Sequence, residues 1–150
     1  MSEAPLDLVG LHDSVRSKLL AADQMYTTGR RELVELLVSV GRPATVAELL
    51  ELRPKLTQSS LYRNMAALEA VNVVQKVVST DDRVRFELSE ELMGHHHHMI
   101  CELCGKVEDF AVPARSEKSI EAMLERVVAD SGFTASGHRL DVVGACADCS

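Results

Sequence analysis

The 150 residues are 46% hydrophobic but only 3% aromatic, with no Trp, so one domain of ordinary size or two small ones can form around an aliphatic core. No apolar run approaches the roughly 18–20 residues that cross a bilayer as a helix, which excludes a helical membrane protein and predicts a soluble chain. A formal net charge of −7 argues against binding nucleic acid through overall charge.

The N-terminal stretch Met1–Ser14 is acidic and lacks an apolar segment, so it does not read as a signal peptide, and a reducing, cytoplasmic setting is expected. Apolar residues Leu11, Val15, Leu19 and Leu20 recur at helical spacing and predict a first helix over Leu11–Ala22. Thr27-Thr28-Gly29 offers a hydroxyl cap for a second helix over Arg30–Val40, with Leu33, Val34, Leu36, Leu37 and Val40 inward. Gly41-Arg42-Pro43 stops it. Thr45 followed by Glu48 is a capping box that opens a short helix through Leu52.

A fourth helix is predicted over Thr57–Leu68, with Leu61, Met65 and Leu68 in the core and Ser59, Tyr62, Arg63 and Asn64 on its exposed face. Val71–Val78 and Val84–Leu88, separated by Asp81-Asp82, read as a hairpin. Short helices followed by a two-stranded hairpin outline a winged helix-turn-helix, whose second helix of the pair enters the major groove while the hairpin flanks the backbone. Charge supports this division. Through Leu88 there are 11 Lys/Arg against 12 Asp/Glu, and after it 5 against 11, so the first half is near neutral and the acidic excess lies in the second. Local patches decide phosphate binding, and Arg30 at a helix N-terminus is a candidate phosphate contact.

Ser89–Gly94 is polar and acidic, and the domain boundary is placed there: residues 1–90 form a DNA-binding unit and residues 91–150 a metal-binding unit. From His95 to Phe110 the pattern is strand, knuckle, strand. Arg115–Ser131 is a helix with Ile120, Met123, Leu124, Val127 and Val128 inward, and His138–Ala145 alternates as a last strand.

The chemistry concentrates in His95-His96-His97-His98-Met99-Ile100-Cys101-Glu102-Leu103-Cys104, six potential ligands within ten positions. A second CxxC, Cys146 to Cys149, closes the sequence. Two such pairs far apart in sequence build a tetrahedral four-thiolate Zn²⁺ site, and all four cysteines are used. That site is closed, with no open position for water, and with no HExxH or GxSxG pattern it argues against a hydrolase. On a strand, His95 and His97 face one way and His96 and His98 the other, so one tetrapeptide can serve two separate metal sites.

With these residues in place the sequence resembles the ferric uptake regulator family of metal-dependent repressors. The likeness runs from Tyr26-Thr27-Thr28-Gly29-Arg30 to Cys149 and is most specific at Ser59-Ser60-Leu61-Tyr62-Arg63-Asn64, at His95–Gly105 and at the terminal CxxC. It implies an α+β protein: an N-terminal winged helix-turn-helix that binds double-stranded operator DNA, and a small C-terminal α/β domain that forms the homodimer and carries the four-cysteine zinc site. No enzyme activity, membrane or small-molecule substrate is implied. By the same resemblance, structural zinc falls to Cys101, Cys104, Cys146 and Cys149. A histidine-rich site falls to His95, His97, Glu121 and His138, and a sensory site at the domain junction to Glu87, His96, His98 and Asp109. Tyr62 and Arg63 would contact DNA, with Ser59 or Ser60 near phosphate or thymine methyls.

Two departures bear on the sensed metal. Arg42 stands where iron- and peroxide-sensing relatives usually place a histidine. Gln75 and Ser89 stand where zinc-sensing relatives often use aspartate and cysteine, with Glu90 and Glu91 nearby. Zn²⁺, Fe²⁺ and Mn²⁺ all accept mixed nitrogen and oxygen ligands. The expectation is a zinc-responsive repressor of metal homeostasis, with iron next; an iron-based peroxide sensor of the same fold and a metal buffer are the alternatives.

Overall fold

Asp7 accepts a hydrogen bond from the Gly10 amide and so caps α1 (Leu8–Ala21), the first element of the computed structural model, which describes residues 7–150. The first six residues of the N-terminal stretch therefore lie outside the described part. Leu11, Val15 and Leu19 of α1 are buried, whereas Leu20, expected on the same stripe, is exposed.

Thr27 caps α2 (Thr28–Val40), and Gly41 at φ 64° ends it in the left-handed region where glycine is unstrained. Next come β1 (Ala44–Thr45) and α3 (Val46–Leu52), opened by a complete capping box: the Glu48 amide donates to Thr45 Oγ1 and the Thr45 amide to Glu48 Oε2. Thr57 caps α4 (Gln58–Ala70), which buries Leu61, Met65 and Leu68 as predicted. The hairpin follows as β2 (Val74–Val78) and β3 (Val84–Leu88), and β1 adds to its other edge, giving the antiparallel order β1-β3-β2. This is a winged helix-turn-helix. Its core is one aliphatic cluster centred on Leu19, Leu33, Leu49, Leu61 and Leu68, all fully buried. Truncating any one of them to Ala should cost about 2–5 kcal/mol.

The stretch expected to hold the domain boundary contains a single helical turn, α5 (Glu90–Met93). Beyond it lie β4 (His97–Cys101), β5 (Val107–Phe110), α6 (Ala114–Ala129) and β6 (Asp141–Gly144). The second sheet has the order β5-β4-β6; β4 is central, antiparallel to β5 and parallel to β6. Val77 of β2 leaves the first core and packs with Ile100 and Val107 of this second sheet.

One expectation is corrected here. None of the α6 residues predicted to face inward is buried, and Met123 and Val127 are 56% and 70% exposed. Helical periodicity reports that a face is apolar, not that its own chain covers it. Strand β6 is exposed along its whole length as well.

Candidate metal centres

Strand β4 holds His97 and His98 by its pleat, and His95 and His96 continue the alternation just before it. Its register sets His97 opposite Phe110 and His98 opposite Asp109 on β5, with Asp141 of β6 on the other side of His98. Because alternate side chains point to opposite faces, the run divides into two clusters back to back.

The first cluster lies where the two sheets meet. Glu87, one residue from the end of β3, meets His96, His98 and Asp109, and one ligand atom from each lies within 4.8 Å of all the others. His96 Nε2 is 3.2 Å from Glu87 Oε2, and His98 Nε2 is 3.1 Å from Glu87 Oε1. Asp109 stands 3.9 Å from His96 and 3.7 Å from His98. Burial pushes the Glu87 carboxyl up, but hydrogen bonds with His96, His98 and Gln75 outweigh it and hold the group down at about 2. Its hydrogen bond raises His96 to about 9. His98 is lowered by burial and raised more strongly by Glu87, for a net rise. Asp109, desolvated and facing Glu87, is pushed up to about 6. The Glu87 carboxylate and the His96 imidazolium thus favour each other's charged form.

Two supporting residues were not identified as such from the sequence. The Gln75 side-chain amide donates to Glu87 Oε1 at 2.7 Å, and Asp141 Oδ1 lies 3.6 Å from His98 Nδ1. Such outer partners fix the tautomer and orientation of a ligand. The cross-strand registers that bring them in, Gln75 to Glu87 and His98 to Asp141, could not be read from local pattern. Arg42, in the place of a relative's histidine, shares a cavity with His96 but spends its guanidinium on Glu48 at 2.9 Å.

On the opposite face of β4, His95, His97 and His138 converge with Glu117 of α6. Glu121, the carboxylate carried over by resemblance, is one helical turn further on and outside this group. The structure therefore puts Glu117 in its place, because the helix enters the cluster by its first turn. Glu117 Oε1 and His138 Nε2 lie 2.8 Å apart, yet both are buried and neither has an aligned hydrogen-bond partner. With His97 Nε2 2.9 Å from the other carboxylate oxygen, this gathering of imidazoles round one carboxylate suits a shared cation. Glu90 of α5 reaches His95 Nδ1 at 3.1 Å.

The four cysteines also come together, each sulfur within 4.8 Å of the rest, and all are free thiols. Cys104 and Cys146 are 3.8 Å apart, far beyond a disulfide bond. Backbone amides of Cys146 and Cys104 aim at Cys101 and lower its thiol to about 6, whereas sharing hydrogen bonds with Cys146 and Cys104 drives Cys149 up to about 12. One thiolate is favoured by the backbone, but four together require a cation. The donor set fits Zn²⁺.

The candidate DNA contacts are distributed over two helices. Ser59, Tyr62 and Arg63 are exposed on α4, and Ser60 is half-buried within hydrogen-bond reach of Asn64. Arg30 is different: its guanidinium donates to the Met25 carbonyl at 2.6 Å and to Gln24 at 3.0 Å, tying down the turn before α2.

Comparison with known proteins gives a consistent picture. The family model described as the ferric uptake regulator family matches residues 22–143. The peroxide-responsive repressor PerR of Staphylococcus saprophyticus is 27% identical over 143 residues, spanning 93% of this chain and 90% of its own length. Among solved structures, the Helicobacter pylori ferric uptake regulator Fur superposes with a TM-score of 0.76 at 24% identity, over 98% of this chain and 97% of that one. A zinc uptake regulator in complex with zinc and DNA gives 0.60 at 19% identity, over 97% and 95%. At these identities the structural likeness is one of fold.

Proposed function

We propose, from the premise that this chain belongs to the ferric uptake regulator family, that it is a homodimeric repressor whose hold on operator DNA depends on a divalent metal bound by Glu87, His96, His98 and Asp109. One observation carries the reading: Glu87 comes from the winged-helix half, while His98 and Asp109 come from the second sheet and His96 from the residue leading into it. Residues 1–90 serve as the DNA-binding unit and residues 91–150 as the metal-binding dimerisation unit.

A divalent cation bound there supplies a fixed positive centre that both carboxylates and both imidazoles can share without protons. Glu87 then transmits the position of β4 and β5 to β3, and through β3 to the rest of the winged helix. Helix α4 presents Ser59, Tyr62 and Arg63 to the major groove, with Ser60 at its edge. The apolar, uncovered face of α6 and the exposed β6, including Val127, Val142 and Val143, supports pairing with a second copy. Two half-sites one helical turn apart, roughly 34–36 Å, require a fixed spacing between the two α4 helices. A coupling of about 1–3 kcal/mol between metal and DNA suffices for a switch.

The Cys101–Cys104–Cys146–Cys149 site takes structural Zn²⁺, and the His95–His97–Glu117–His138 cluster takes a further divalent metal. At the junction we favour Zn²⁺: four converging donors, two nitrogen and two oxygen, match its tetrahedral preference, whereas Fe²⁺ and Mn²⁺ favour more ligands. As a regulator acting on DNA, the protein would work in the cytoplasm, and no helix among the described residues is long and apolar enough to cross a membrane.

The test is an operator-binding titration of zinc-folded protein, adding Zn²⁺, Fe²⁺ under anaerobic conditions and Mn²⁺ separately, with EDTA as control. Zn²⁺ should switch binding on, and His96→Ala or His98→Ala should abolish the response without unfolding. A response to Fe²⁺ or Mn²⁺ alone would reassign the metal, and no response to any would overturn the reading. The imidazole and carboxylate donors, with the likeness to PerR, favour iron-based peroxide sensing as the second reading; oxidised His96 or His98 in mass spectra would identify it.

A further inference from the structure

We propose that the Cys101–Cys104 knuckle positions the DNA-flanking hairpin, so that the four-cysteine site sets operator affinity as well as holding the fold. This rests on the repressor reading above and adds a second control to it.

Three contacts join the knuckle to the hairpin. Ser79, at the end of β2 and only 5% exposed, donates its hydroxyl to the Gly105 carbonyl at 3.1 Å. Gly105 follows Cys104, and its own amide closes the knuckle on the Cys101 carbonyl at 2.9 Å. Gly105 adopts φ 74°, and a Cβ there would collide with the Asp81 carboxylate, so hairpin turn and knuckle approach as closely as a glycine permits. Beneath them Val77 packs with Ile100 and Val107, the residues that flank the knuckle on β4 and β5.

The turn itself is stiff. Arg85, 4% exposed, clamps both Asp81 oxygens at 2.8 and 2.9 Å, and the Arg83 amide donates to Asp81 Oδ1 at 3.1 Å. Arg83, its side chain 73% exposed, keeps only a long 3.9 Å approach of Nε to Asp81 Oδ2 and can turn toward phosphate. A two-stranded hairpin is marginal by itself. Here its tip is seated on the turn whose shape the cysteines determine. Ordering the hairpin in advance lowers the conformational entropy lost on binding DNA, so the contact should favour the complex.

The experiment uses full-length zinc-loaded protein with the junction metal supplied, comparing wild type with Ser79→Ala and Asp81→Ala. Hydrogen exchange over residues 77–85 and operator affinity are read together; zinc content, dimer mass and junction-metal affinity serve as controls. Both variants should exchange faster across the hairpin and bind operator on the order of 5- to 50-fold more weakly, with the controls unchanged. Unchanged hairpin exchange overturns the proposal. Faster exchange with unchanged or tighter operator binding overturns it too. If wild type itself binds no operator, the repressor reading fails, and hairpin exchange in zinc-loaded Ser79→Ala and Asp81→Ala still shows whether the knuckle holds the hairpin.

Discussion

His96 and Glu87 face each other across the join between the two sheets, Nε2 to Oε2 at 3.2 Å, and each shifts the other's proton affinity in the direction that keeps both charged. Metal requires neutral imidazole, so binding must displace the His96 proton at any pH below about 9. Glu87, held at about 2, needs no deprotonation in the working range, whereas His98, also raised by Glu87, and Asp109, at about 6, each add a further proton to be displaced as pH falls. Metal affinity at the junction should therefore rise with pH up to about 9, by roughly tenfold per pH unit for each proton released, and more steeply below about 6. A chelator-competition titration across that range checks it; a flat profile would contradict the ion-paired geometry. In the metal-free protein the alkaline limb has the opposite sign: the stability that the His96–Glu87 pair contributes is fully present between about 4.5 and about 6.5, the two unfolded values, fades as pH rises through about 9, and is lost as pH falls toward about 2.

Glu117 and Glu121 lie one turn apart on α6, and only the first meets the three histidines. Glu117→Gln should weaken metal binding at that cluster by at least tenfold to a hundredfold, the loss commonly seen even for an outer partner. Glu121→Gln should leave it unchanged. Metal stoichiometry after dialysis against a weak chelator separates the two, and equal losses would mean that the helix enters the site in a different rotation.

Thr45 takes part in both halves of the α3 capping box, and its partner Glu48 is held low against burial by the Thr45 amide and by Arg42. Thr45→Ala should cost about 1 kcal/mol of unfolding free energy, within the usual 0.5–2 for such caps. A lower urea midpoint with an unchanged slope is the expected result. Because none of the candidate DNA contacts lies on α3, operator affinity at saturating metal should barely change.

Val127 is 70% exposed in the last turn of α6, on its uncovered apolar face. Val127→Glu should leave the thiolate site and the helix intact but weaken self-association, read as a monomer shift in analytical ultracentrifugation at micromolar protein. Dimerisation unchanged by that substitution would place the interface elsewhere.

Much of the winged half could be read from its sequence, because its signals are local. Thr45 with Glu48 fixed a helix start, Val84–Leu88 alternated over the observed strand, and Leu61, Met65 and Leu68 marked the inner stripe of α4. The two-residue β1 and the one-turn α5 carry too little pattern to detect. In the second half, alternation assigns His95 and His97 to one face and His96 and His98 to the other, and the fold gathers the same pairs into two groups, since a strand's period does not depend on its partners. Glu117 in place of Glu121 was not legible, because both face the same side of α6 and only tertiary packing decides which reaches His138. The inward residues predicted for α6 failed for a related reason: an apolar stripe does not name the molecule that covers it.

The histidine run has a consequence for how β4 finds its place. Four identical residues in succession mean that a strand slipped by one would still offer imidazoles to both faces, so metal-ligand chemistry alone would discriminate poorly against that misalignment. Such a slip would turn Cys101 away from its three partners and bring Met99, now 41% exposed, toward the position of Ile100 between Val77 and Val107. Proofreading of the strand's alignment thus falls to one thiol and one isoleucine, several residues downstream of the groups whose placement they guarantee.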